Sequence, residues 1–202
     1  MTAHAADAGR TATGTASRNV HGRALAITVI STVRWWGRAW LPLFFFYATR
    51  IRGPSPQLAQ LSFIHFARWT LIRRLPANGP SAPEQRLRHA QLFFESNFNG
   101  GWEEYIDAFS HILTRGMNTL WGSSYGFPKP LPTAPFKAYI RRHEIEASHF
   151  YSAYPEATTT MVAAALEVEA KLAALAARAD AMEPEAFADA WRRFLTDVQR
   201  CL

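Results

Sequence analysis

The sequence predicts an α+β fold: an antiparallel sheet with helices on one face, preceded by an N-terminal apolar helix. Three observations carry this. Two runs, LSFIHFARWTLI at 61–72 and AQLFFESNF at 90–98, alternate along the chain and are rich in β-branched and aromatic residues, as half-buried strands are. Three later stretches space their apolar residues by three and four, the period of a helix. Residues 24–48 are apolar in bulk, over a length close to the roughly 20 residues that cross a bilayer.

Composition and charge set the outer limits. With 49% hydrophobic residues in 202, the chain can bury a sizeable core, which excludes global disorder. The single cysteine, Cys201, excludes an intrachain disulfide framework and a cysteine-cluster metal site, and no metal site is expected. The net charge of +6 lies at one end, because residues 1–56 hold seven arginines against Asp7 alone. Residues 57–202 balance 15 basic with 15 acidic side chains. A neutral body lacks the basic face that nucleic acid requires. A basic, apolar leader instead fits an anionic membrane surface.

Residues 1–23, poor in large apolar side chains, are expected to form a disordered basic leader. Residues 24–52 are expected to form an apolar, membrane-interacting helical segment. Arg34 and Arg38 lie four apart, so they share a helical face. Trp35, Trp36 and Trp40 cluster beside them, as aromatic residues do at a membrane interface. Two arginines within the segment favour a helix lying in the interface over a simple span. The competing readings are a helix over Trp40–Ile51 packed on the body and a removable targeting segment.

GPSP at 53–56 marks a break, and an α+β domain is assigned to 57–202. In the first strand, alternation places Phe63, His65, Ala67, Trp69 and Leu71 on one face and Ile64, Phe66, Arg68 and Thr70 on the other. Residues 73–88 carry Pro76, Asn78-Gly79-Pro80 and Pro83, which is loop chemistry. The second strand, 90–98, can pair with the first as a long-looped hairpin. A helix follows from Trp102 to about Arg115, with Gly116 as its stop. Residues 117–136, with a proline-rich GSSYGFPKPLPTAP, are expected to be irregular. Residues 137–153 read as a further strand. A helix from about Pro155 to Arg178 carries the stripe Met161, Ala165, Val168, Leu172 and Leu175. Pro184 fits the first position of a last helix.

The strands LSFIHFARW and LFFESNFNG followed by WEEYIDAF resemble the strand-to-helix units of the ferredoxin-like, dimeric α/β-barrel superfamily. The resemblance rests on element order over residues 60–178, and a hairpin before the first helix makes that order permuted. It implies a homo-oligomer and a small-oxygenase or haem-dependent activity, with haem as the cofactor. No catalytic motif carries residue by residue.

The fingerprints GxGxxG, GxxxxGK[ST] and HExxH are absent. Chemistry therefore falls to polar side chains within apolar runs. His65, Glu95 and His149 are the catalytic candidates, since an imidazole and a carboxylate on neighbouring strands can act as an acid–base pair. Asn97, Trp69 and Tyr125 are the ligand-binding candidates. His143, Glu144 and Glu146 lie in the same run as His149. The plain alternatives are a hydrogen-bonded sheet histidine at 65, a solvated strand face at 144 and 146, and a structural Arg68–Glu95 pair across the hairpin. The GSSYGFPKP loop reads equally as a lid, a connector or a dimer arm. The function expected is a membrane-associated protein that binds a lipophilic small molecule in an apolar pocket. The alternatives are the oxygenase or haem enzyme and an interaction subunit of a membrane assembly.

Overall fold

The computed structural model describes residues 18–52 and 60–201. Two compact units result, one ending at Glu156 and one beginning at Ala157. In the first, β1 (Val20–His21), β2 (Ala24–Thr32), β3 (Ile64–Leu75) and β4 (Gln85–Asn99) form one antiparallel sheet in the order β1-β2-β4-β3. Helix α1 (Gly37–Tyr47) follows β2, while α2 (Trp102–Ile112), α3 (Thr114–Trp121) and α4 (Thr133–His143) follow β4. The α+β class holds.

The apolar N-terminal helix over 24–52 does not. Its first third is the strand β2, in which Leu25, Ile27, Val29 and Ser31 are buried and alternate with half-buried Ala26, Thr28, Ile30 and Thr32. Ile27, Thr28, Val29, Ile30 and Thr32 are β-branched, and such side chains suit a pleated surface better than a helix. High bulk hydropathy hid the two-residue period. Only Gly37–Tyr47 is α-helical, with a short π-helical turn after it at Ala48–Arg52. The leader expected at 1–23 lies mostly outside the described residues, as does the break at 53–56, but Val20–His21 belong to the sheet.

Strands β2 and β3 both run antiparallel to β4, which lies between them. They are therefore parallel to each other, with α1 in the connection. The strand missing from the sequence-based order stands before α1, so from β2 onward the order is strand, helix, strand, strand, helix.

One core lies between the inner sheet face and the helices. Phe94 and Phe98 of β4, Tyr105 and Phe109 of α2, Trp121 of α3 and Phe136 of α4 are almost wholly buried in it. Phe98 stacks on Tyr105 at 3.9 Å between ring centroids, and Phe94 meets Trp121 edge-on at 5.1 Å. Leu41, Phe44 and Phe45 bring α1 to the same core.

The irregular reading of 117–136 is corrected at both ends. Gly116 is no stop, because Leu113 is followed by α3, whose Met117, Leu120 and Trp121 are buried. Two turns are too short to display a period. Pro135 falls in the first turn of α4, where a missing N–H costs no helical hydrogen bond. The strand over 137–153 is also corrected. Helix α4 runs to His143, and only Glu144 then bridges to Val29 of β2. That bridge is one of several contacts along the outer edge of β2. Ala26 N donates to Asn19 O, Ile145 N to Thr28 O and Tyr125 N to Thr32 O, at 2.8, 2.8 and 2.9 Å. Backbone groups that would otherwise form an open edge are thus paired.

The second unit is a helical hairpin, α5 (Thr159–Ala179) and α6 (Pro184–Val198). Thr158 caps α5 by accepting from Met161 N at 3.1 Å, and Pro184 opens α6 as the sequence predicts.

Candidate functional site

The outer face of the sheet carries the candidate site, and a β-bulge shapes it. Along β3, Ala67, Trp69 and Leu71 lie opposite Ser96, Phe94 and Leu92 of β4, and all pack inward. Phe66 and Arg68 lie opposite Asn97 and Glu95, on the outer face. The register then slips, because Ile64 pairs with Phe98 while Phe66 pairs with the next residue, Asn97. His65 is the extra residue. A bulge breaks strict alternation, so His65 is exposed and lines the outer cleft beside Phe66. The expectation that His65 shares a face with Trp69 is overturned. Ser96 anchors the bulge from within: its buried hydroxyl donates to the Phe66 carbonyl at 3.0 Å.

The cleft has a volume of about 300 Å³ and is lined by Ala24, His65, Phe66, Asn97, Phe150, Tyr151 and Ser152. Its far wall is held by β1. Ser152 N donates to His21 Nδ1 at 2.8 Å, and the His21 and Tyr151 rings lie 5.8 Å apart. Asn97 Oδ1 is buried and has no hydrogen-bond partner.

Of the predicted residues, only His65 and Asn97 meet here. Glu95 shares the outer face, but Arg68 Nη2 donates to its carboxylate at 2.6 Å, and the Arg68 guanidinium lies 5.5 Å from the Phe93 ring centroid. Glu95 is thus the structural partner of Arg68. Trp69 is on the opposite face, 6.4 Å from Phe109 and 6.3 Å from Trp121 between centroids. Tyr125 lies at the other end of β2, with the Arg34 guanidinium 5.7 Å above its ring and His89 edge-on at 6.1 Å. His149 is exposed. Phe66, Phe150, Tyr151 and Ser152 were missed. Phe66 needed the register, and the other three were hidden by reading 137–153 as a strand.

No carboxylate lines the cleft, so His65 has no acid partner within it. The residues do not fit haem either. An axial histidine needs an enclosed apolar slot for the macrocycle; His65 lies in a small open cleft and His149 faces solvent. Among the described residues, no three His, Cys, Asp or Glu side chains gather as a metal site would require.

A cluster of ion pairs lies elsewhere in the first unit. Lys137 Nζ sits 2.8 Å from both Glu103 and Asp107. The Asp107 bond, followed by the Glu103 bond, raises the Lys137 pKa, while Lys137 lowers that of Glu103. Next to it, Glu144 accepts from Trp102 Nε1 at 3.1 Å, and Arg141 lies 3.9 Å above the Trp102 ring. Burial pushes the Glu144 carboxyl above its ordinary value. These groups tie α2, α4 and the edge of β2 together.

A second surface is formed by α1. Its inner side holds Leu41, Phe44 and Phe45. Its outer side exposes Trp36, Trp40, Leu43, Phe46 and Tyr47, and Trp35 just before it is 81% exposed. Arg34 and Arg50 are exposed at its two ends, and Arg38 is half-buried within it. No helix among the described residues is long and apolar enough to cross a membrane.

Comparison with protein-family models, with curated proteins and with solved structures finds no match.

Proposed function

We propose that this protein works at an anionic membrane surface, held there by α1, and presents the outer sheet face to a lipophilic small molecule. The observation that carries the proposal is the outer side of α1. Water faces Trp36, Trp40, Leu43, Phe46 and Tyr47 over three turns, whereas soluble surfaces seldom keep so contiguous an apolar row without use. Charge points to the kind of surface. Between Asp7 and Glu84 the sequence has ten arginines and no acidic residue. Tryptophan and tyrosine favour the headgroup boundary, and each arginine near an anionic leaflet adds about 1 kcal/mol. At 11 residues, α1 lies in the interface under this proposal and does not span.

The split strand–helix–strand unit, with β4 inserted between parallel β2 and β3, supports a ferredoxin-like assignment in which the bridge at Glu144 stands where a further edge strand would lie. The cleft beside Asn97 is the proposed ligand site. Flotation of the full chain with liposomes tests the membrane contact. With phosphatidylglycerol in the vesicles the protein floats at low salt; with phosphatidylcholine alone it floats weakly. Replacing Trp36 and Trp40 by Ser reduces flotation at least tenfold, and high salt weakens it through screening. Full-length protein that stays at the bottom with anionic vesicles at low salt refutes the contact.

A further inference from the structure

We propose that the β3–β4 hairpin is a second membrane contact: its uncharged tip enters the headgroup layer, and the arginines at its root bind the phosphates of anionic lipids. This rests on the membrane reading of α1 and is independent of the cleft.

The hairpin outgrows the sheet. β2 ends its pairing with β4 at Thr32–Gln91, while β3 and β4 pair on to Leu75–Gln85. Every residue from Arg73 to Arg86 is exposed. The tip is nevertheless formed. Asn78 N donates to Ala82 O at 2.8 Å and Ala82 N to Gly79 O at 3.1 Å, and Gly79 supplies the positive φ of 92° within this turn. A preformed tip loses little conformational freedom on contact.

Charge is sorted along the hairpin. The tip, 75–83, reads LPANGPSAP and carries no charged residue, and its Leu75 is exposed. Behind it stand Arg73, Arg74, Arg86 and Arg88 against one carboxylate, Glu84. The even balance of charge over 57–202 conceals this local excess. Strand pairing concentrates it. Arg74 lies directly across from Arg86, and like charges so placed repel. Between that pair and Ile72–Gln91, β3 has one residue, Arg73, and β4 has four, Leu87–Ala90. The irregular register thus gathers Arg73 and Arg88 at the same root. Glu84 reaches Arg74 at 3.2 Å, but among the described residues no carboxylate pairs with Arg73, Arg86 or Arg88. Guanidinium groups facing one another match a phosphate, whose oxygens accept from both.

Position selects a lipid as the source of that phosphate. The root adjoins the start of α1: Val33 N donates to Ala90 O at 2.8 Å, and His89 and the Arg34 guanidinium meet the same Tyr125 ring at 6.1 and 5.7 Å. The exposed Trp35 and Trp36 follow directly. A headgroup layer offers phosphate and an apolar boundary side by side, whereas a free phosphate leaves the tryptophans and the uncharged tip without a role.

Flotation with phosphatidylglycerol vesicles at low salt compares the full chain with two variants of equal net charge. Arg74→Gln with Arg86→Gln should weaken partitioning about thirtyfold, from roughly fivefold per arginine. Arg142→Gln with Arg193→Gln, outside the hairpin and α1, should weaken it by less than about threefold. A polarity-sensitive fluorophore on Ser81→Cys, in a chain with Cys201→Ser, reads the tip, and its emission should shift to the blue when the vesicles are added. Equal losses in the two charge variants, no loss in the Arg74 and Arg86 variant, or an unshifted emission while the chain floats each overturn the hairpin contact and leave that of α1 standing. Displacement of the full chain from the vesicles by inorganic phosphate or by duplex DNA, at matched ionic strength, gives the arginines to a free anion or to nucleic acid and overturns the lipid assignment. A full chain that does not float overturns both contacts.

Discussion

Gly37→Ala tests how tightly the start of α1 is locked to the sheet. Gly37 is the first residue of the helix and is buried. A Cβ added there would lie 2.5 Å from Val33 Cγ1 and 2.6 Å from both Cβ and Oγ of Ser123. Carbon atoms pack at about 3.5–4.0 Å, so each neighbour would have to retreat by about 1 Å. Neither has room: Val33 and Ser123 have no exposed surface. Their backbone is tied as well. Val33 N donates to Ala90 O and Arg34 N to Ser123 O, both at 2.8 Å. Overpacking a closed site costs roughly 1–3 kcal/mol, and the better helix propensity of alanine returns at most about 1 kcal/mol. The expected net loss is about 1–2 kcal/mol. Equilibrium urea unfolding of the full chain, followed by near-ultraviolet circular dichroism of the aromatic core, measures it. A midpoint shift equivalent to less than about 0.5 kcal/mol, the range of an ordinary surface substitution, would refute the close approach and the placement of α1 that depends on it.

Gly116→Ala is the counterpart. Nothing lies within 4 Å of its added Cβ in α3, so the variant should gain about 0.5–1 kcal/mol, and a loss in the same urea experiment would mean that residue 116 is not helical. Glu144→Gln should stabilise the protein at neutral pH by up to about 1 kcal/mol, because glutamine can still accept from Trp102 and pays no cost for a buried charge. The sign follows from the raised carboxyl pKa. The native state pays for the charge above that pKa and is relieved as pH falls through it towards the ordinary 4.5. The advantage of the variant should therefore shrink on acidification, and an advantage that grows would show the opposite shift. Glu95→Gln should cost no more than about 1 kcal/mol, since Arg68 is 62% exposed and Glu95 29%; a loss well beyond that in thermal unfolding would mark a pair held away from solvent.

Much of the molecule is local and was legible in the residues. The hairpin of β3 and β4, the Arg68–Glu95 pair across it, the helix opening at Trp102 with Glu103 and Glu104 in its first turn, and the α5–α6 hairpin all follow from period, turn chemistry and charge over short stretches. The apolar, arginine-bearing segment around Trp36 was also visible as unusual. Other features depended on partners far along the chain. Whether ALAITVIST became helix or strand was decided by the edge of β4, since every residue from Ala24 to Thr32 has a partner between Asn99 and Gln91. Hydropathy summed over a window cannot contain that information. Nor could alternation alone place His65, because one residue of slip at the bulge reverses its face. That slip exists only where two strands are aligned, and it is what sets His65, Phe66 and Asn97 around one cleft while leaving Trp69 in the core and Tyr125 at the far end of β2. Local sequence therefore determined the β3–β4 hairpin, the opening of α2 and the two helices of the second unit, but not β2, α3 or α4. Long-range strand pairing decided which side chains meet, because register is a property of two segments and neither carries it alone.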